Sequence, residues 1–432
     1  MLVRPSRLFF CVVLAALPAA ALAGNWPQWR GPTGDSVSAE TGLPLHWSEG
    51  KGVVWKCPLP GDGASTPAVW GDAVFVTCQK GDDLVLLKVN KGSGQAEWER
   101  TVGSGKVVRE TAKARGEQKF HKLHNLASPS PVTDGRLVVA HFGTGDLAAY
   151  DFAGNQLWHR NLQKDHGDYT IWWGHANSPV LYRDLVIAVC MQDSLRDVGE
   201  KAVDSYVVAY DQATGEPRWK TLRNTRAEKE ECDAYTTPIF HEANGKVEMI
   251  VWGGRQLDAY DPATGKQLWY LPVPVGNRTI TGPTLADGMV YATCGMRKDL
   301  VAVKLGGTGR LPDAAITWRA TENTPDSPCP VAYKGLLFVA SDSGFVQCRD
   351  AKTGEVKWKE RLPAGDYKAS PLAADGRVYF VNLTGRCTVL AASAKFEKLA
   401  ENPLDDGFIA SPAVSDGRLY LRGRKALYCV GK

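Results

Sequence analysis

Residues 260–269 read YDPATGKQLW, and the pattern returns as YDQATGEPRW at 210–219 and RDAKTGEVKW at 349–358. Asp-x-x-Thr-Gly between two strand-forming runs is a hairpin turn, with Gly265, Gly215 or Gly354 in the left-handed conformation that a Cβ resists. Each copy therefore predicts a strand, a tight turn and a second strand that carries a tryptophan. Working outward, each is preceded by an apolar run such as LVIAVC at Leu185 or LLFVAS at Leu336, rich in β-branched and aromatic residues. Before that stands a short segment with Ser or Thr ahead of Pro. It occurs eight times: STPAVW at Ser65, SPSPVTD at Ser128, NSPVLY at Asn177, TTPIFH at Thr236, TGPTLA at Thr281, SPCPVAY at Ser327, ASPLAA at Ala369 and ASPAVS at Ala410.

Four short strands per unit make a sheet too small to bury its own faces, so the units must stack around a ring. Four-stranded repeats of roughly 40 to 60 residues predict an all-β, eight-bladed β-propeller of antiparallel blades. Trp98, Trp158, Trp219, Trp269, Trp318 and Trp358 mark the fourth strands of the first six units, and residues 396–400 are a degenerate seventh. The eighth unit has only three strands before the chain ends. GVVWKCPLP at 52–60 has the fourth-strand pattern, with Trp55 in place, and is expected to complete it from the N-terminus.

Ahead of the repeats, Arg4 and Arg7 precede an apolar run, and Ala21-Leu22-Ala23 supplies the small residues of a signal-peptidase site. Residues 1–23 are thus expected to be a signal peptide cleaved after Ala23, 24–51 a lead-in arm holding Trp26 and Trp29, and 52–432 one propeller domain. The product is exported, periplasmic or secreted, and no later segment approaches the roughly 20 apolar residues of a spanning helix. The net charge is +4, two of it from Arg4 and Arg7, which points to no nucleic-acid partner. Beyond Cys11 nine cysteines remain, an odd number that reads as apolar filler; Cys57 and Cys429, on neighbouring strands of the closing blade, are the one pair placed for a bridge.

The repeat pattern S/T-P-x-V, D-G-x-V-Y-V, L-x-A-x-D-x-x-T-G-x-x-x-W resembles the pyrroloquinoline quinone (PQQ) repeat family over nearly the whole mature chain. The eight-bladed length is similar to the outer-membrane assembly factor BamB, and the opening WPQWRGP with GHANSP at 174–179 is similar to exported PQQ-like repeat proteins. The resemblance spans two kinds of protein. Its dehydrogenase branch implies PQQ held over a tryptophan, Ca²⁺ bound by Glu, Asn and Asp, an Asp base, and a cap of adjacent cysteines. This sequence has neither a Cys-Cys pair nor Cys-x-x-Cys-His.

The long connections, 100–126, 160–176, 191–204 and 220–234, all fall on units one to four and elaborate one side of one face, where loops on a rigid scaffold carry binding. His121, His124, Asn125, Trp172, Trp173, His175 and Asn177 stand there near the starts of innermost strands, joined by Glu231, Tyr235, Arg278 and Tyr367 from later units. The histidines are read as hydrogen-bonded rather than metal-ligating. Asp366, Asp233 and Lys368 are the candidates for catalysis, with Asp366 or Asp233 as a base and Lys368 or Arg278 facing a quinone. Lys106, Arg109, Lys113, Arg115, Lys119 and Lys122 make the first insertion basic, a solvated loop. The leading expectation is a noncatalytic binding platform of the cell envelope, BamB-like and monomeric, that docks an envelope protein or extended peptide and needs no cofactor. The alternatives are a PQQ- and calcium-dependent sugar or alcohol dehydrogenase with an altered site, and a propeller that binds glycans.

Overall fold

The computed structural model describes residues 24–108, 117–243, 245–295 and 299–432. The leader 1–23 and, in the first insertion, Arg109, Lys113 and Arg115 lie outside the described residues. The described residues form eight antiparallel sheets of four strands, arranged as the blades of a propeller. Blade 1 runs Ala68–Trp70, Ala73–Lys80, Asp83–Asn90, Ala96–Ser104, from the innermost strand outward. The innermost strands of blades 2 to 8 are Val132–Thr133, Val180–Tyr182, Ile239–Ala243, Thr284–Ala286, Val331–Tyr333, Leu372–Ala374 and Ala413–Ser415. In blade 8 the outermost strand is Val53–Pro58, antiparallel to Ala426–Val430 with Trp55 opposite Cys429.

The repeated tryptophans rivet blade to blade. A Cβ on Gly215 would lie 2.7 Å from Trp158 of the preceding blade, one on Gly354 2.6 Å from Trp318, and one on Gly94 2.5 Å from Trp55. The turn glycine therefore answers two demands, a positive φ and the face of an indole. The same indoles donate across the seam: Trp98 Nε1 to the Phe152 carbonyl, Trp158 to Gln212, Trp318 to Ala351, Trp358 to Ser393 and Trp55 to Lys91. Trp269 departs from the series, because blade 5 has no Asp-x-x-Thr-Gly turn to receive it. Its Nε1 donates to Glu248, and Gly309–Arg310 pairs in parallel with its strand instead.

The lead-in arm closes one end of the ring. Trp26 is buried and pairs with Val69 of blade 1, and the Pro27 carbonyl accepts from Thr133 of blade 2. Val37–Ser38 lies parallel to Leu372–Ala374 of blade 7. Between them Arg30 is fully buried, donating to the Pro283 and Pro330 carbonyls and to Thr284 and Ser36 hydroxyls. These contacts run from the residues that open the innermost strands (Pro283, Thr284, Pro330) to those that end them (Thr133, Ala374), past the segments that precede the strands, so WPQWRGP is a plug under the central funnel.

All nine cysteines among the described residues are buried free thiols. Register keeps Cys57 and Cys429 from bridging: Cys429 faces Trp55, and Cys57 faces Leu427 two residues along. Such diagonal neighbours are about 7–8 Å apart, beyond the reach of a disulfide.

Candidate functional site

At the end of the funnel opposite the plug, a cavity of about 300 Å³ is lined by residues that precede the innermost strand of every blade. Blades 8 and 1 supply Ile409 and Ala64; blade 2 supplies His121, Leu123, His124 and Ser128; blade 3 supplies Trp173 and Ala176. Tyr235, Arg278 with Ile280, Asp326 with Ser327, and Lys368 come from blades 4 to 7. The Ser/Thr-Pro segments set this geometry, since each turns the chain into its innermost strand and leaves the preceding side chains at the axis.

Six of the residues singled out in the sequence meet here: His121, His124, Trp173, Tyr235, Arg278 and Lys368. His124 Nδ1 lies 2.6 Å from Ser128 Oγ, whose own proton goes to the Asn125 carbonyl, so the imidazole is the donor. Arg278 Nη2 donates to Asp326 at 2.7 Å, and Lys368 Nζ to Asp342 at 2.7 Å. The other Asp342 oxygen accepts from the amides of Asp326 and Ser327. Two ion pairs thus stand side by side, and an adjoining cleft of about 580 Å³ shares Arg278, Asp326 and Lys368 with the funnel. Burial pushes the Asp326 carboxyl above its usual range, with Asp342 adding to the push against the pull of Arg278.

The remaining candidates lie elsewhere. His175 is buried against Tyr169, ring centroids 3.7 Å apart, and burial holds its imidazole down to about 3, hence neutral. Asn177 donates to the Ala234 and Thr236 carbonyls and Asn125 accepts from the Ala127 amide, both inside the packing. Trp172 is not on the cavity wall; its ring and that of Trp173 flank the Lys119 ammonium at 5.0 and 4.3 Å. Glu231 pairs with Arg255 at 3.3 Å. Tyr367 is core, its hydroxyl bonded to the Pro363 carbonyl, and Asp366 is exposed outside the cavity. Asp233 sits behind the wall, 1% exposed, accepting from the Trp172 amide at 3.2 Å; burial pushes it up to about 7, opposed by that amide and by Tyr235.

Asp326 and Asp342 escaped the sequence reading. Asp326 occupies the pre-strand register that the other lining residues share, immediately before SPCP, and register alone would have found it. Asp342 lies in ASDSGF, where Asp beside Ser and Gly reads as turn chemistry.

A family profile described as outer membrane protein assembly factor BamB matches residues 36–201, 203–309 and 298–400, most of the chain. The chain belongs to this family. No curated protein matches its sequence. Among solved structures, BamB from Moraxella catarrhalis is similar at TM-score 0.59 and 14% identity, covering 88% of this chain and 99% of that one. Quinohemoprotein alcohol dehydrogenase from Comamonas testosteroni is similar at TM-score 0.69 and 15% identity, covering 95% and 81%. A europium-containing methanol dehydrogenase gives 0.60 and 12%, covering 92% and 89%. At these identities the likeness is one of fold, shared by scaffold and dehydrogenase alike.

Among the described residues no three His, Cys, Asp or Glu side chains converge to hold a metal ion. Arg278 and Lys368 each already face a carboxylate. No described helix is long and apolar enough to cross a membrane.

Proposed function

We propose that the chain is a noncatalytic, exported binding platform of the cell envelope, whose elaborated face receives a protein partner at the open end of the funnel. The reading takes 1–23 as a cleaved signal peptide, 24–51 as the plug and 52–432 as the propeller, acting as a monomer. The observation that carries it is the two-ended funnel: the arm fills one mouth, while every blade contributes to a cavity at the other, beside the inserted loops. Family membership supports the same reading.

The test is a photoreactive residue placed at Lys122, exposed on the elaborated face, and in a second chain at Lys334, exposed on a turn of the opposite face. Cross-linking in its own cells is expected to give one discrete protein adduct from Lys122 and none from Lys334. Equal labelling from both, or none from Lys122, would overturn the reading. So would saturable, Ca²⁺-dependent quenching of tryptophan fluorescence by PQQ.

A further inference from the structure

We propose that the funnel cavity takes an apolar or aromatic body bearing a single carboxylate, with the acid group on Arg278 and the body against the wall of Leu123, Ile280 and Ile409. The inference rests on reading this face as a binding face and names the chemistry it would recognise.

The polar groups of the wall are unbalanced toward donors. Arg278 carries five N–H groups in a fixed fork and commits one, at Nη2, to Asp326. Lys368 gives Asp342 one of its three. Trp173 presents an indole N–H that is buried without an acceptor among the described residues. On the acceptor side, Asp342 is already spent on Lys368 and two backbone amides, which leaves Asp326 Oδ1 as the one carboxylate oxygen of the wall without a partner among the described residues, against several open N–H groups. Buried donors with no partner are rare in folded proteins and call for an explanation. A ligand that brings acceptors and negative charge supplies one. A cation would find a single open carboxylate oxygen, Asp326 Oδ1, with the Arg278 guanidinium held against the same carboxylate. Most of the remaining surface is aliphatic or aromatic, which suits a body larger than an inorganic anion.

Arg278 is the group built for the acid. A guanidinium binds a carboxylate through two parallel N–H bonds, and Arg278 remains a quarter exposed with its other edge uncommitted among the described residues. The carboxylate can belong to a small free acid or to the C-terminus of a polypeptide; the chemistry at Arg278 is the same.

The experiment is calorimetric titration of the chain with N-acetylphenylalanine, with its amide, and with a short peptide ending in phenylalanine, as free acid and as C-terminal amide. Both acids are expected to bind, and both amides to bind at least about tenfold more weakly, the loss of one charge-assisted pair. Arg278→Gln should weaken the acids by about tenfold or more, and Trp173→Phe, which keeps the ring and removes the N–H, by a smaller factor of about threefold. A peptide acid that binds more tightly than the small acid identifies a chain end as the source; the reverse identifies a free acid. Equal binding of acid and amide by the unaltered chain would overturn the proposal, whether or not the variants fold. So would a folded Arg278→Gln chain with unchanged affinity, no heat at millimolar acid, or tighter binding of a neutral disaccharide. These titrations need no protein partner, so they can fail while the Lys122 cross-link persists, and the cross-link can fail while the acids bind.

Discussion

Replacing Asp233 by asparagine is expected to stabilise the protein above neutral pH, an unusual outcome for a buried polar residue. The wild-type carboxyl is 1% exposed, and burial, with Glu230 and Asp193 nearby, pushes it up to about 7. In the unfolded chain it titrates near ~3.9. Between those values the folded state holds a proton that the unfolded state has lost, so stability falls as pH rises through the window. It is fully present below about pH 4 and lost above about pH 7. A gap of about three units at 1.36 kcal/mol each amounts to ~4 kcal/mol. Asparagine mimics the protonated form: its oxygen keeps the Trp172 amide bond, and nothing ionises. Urea midpoints followed by tryptophan fluorescence, taken on both proteins from pH 4.5 to 8.5, should diverge steadily, the variant gaining to about 4 kcal/mol at the alkaline end. The difference between the two proteins cancels every other titrating group. A difference that stays flat, or that favours the wild type as pH rises, refutes the argument that Asp233 is folded as an acid rather than a carboxylate.

The rivets make a second test. Gly215→Ala forces a Cβ into the Trp158 ring at a positive φ, and a loss of about 1–3 kcal/mol is expected in thermal or urea unfolding. Trp158→Phe keeps most of the packing and gives up the bond to the Gln212 carbonyl, for about 1 kcal/mol by the same measurement. Arg30→Met removes the donor to two carbonyls and two hydroxyls and should cost about 3 kcal/mol; limited proteolysis is expected to cut within 24–51 in the variant and not in the wild type. Thiol alkylation at pH 8 followed by mass spectrometry should label none of the nine buried cysteines in the native protein and all of them in denaturant.

The blades were legible because period-2 strands, Ser/Thr-Pro turns and Asp-x-x-Thr-Gly hairpins are local signals, each readable within ten residues. The site was legible only as a register. Knowing that side chains just ahead of each innermost strand point to the axis placed His121, His124, Trp173, Tyr235, Arg278 and Lys368 together. The same rule admits His175, Asn177 and Tyr367, one or two positions along, and cannot tell which way each side chain turns; packing between blades swallowed all three. Asp366 stands directly before Tyr367 and points to solvent. The plug was illegible for a different reason. Arg30 meets Pro283 and Pro330, carbonyls some 250 and 300 positions away, and no side-chain pattern announces a backbone acceptor.

The closing blade also sets a schedule. Trp55 lies against Cys429 in the sheet and over Gly94 in the next blade, so a strand made among the first must wait for one made among the last. At 5–20 residues per second that wait is roughly 20–75 s. Throughout it the nascent molecule is an open arc. Blade 1 lacks the indole that will cover its turn, and Arg30 has no ring of carbonyls to enter. Ala426–Val430, which pairs with Val53–Pro58, is therefore the latch, and loss of even this short strand would leave the first blade and the plug without their seat.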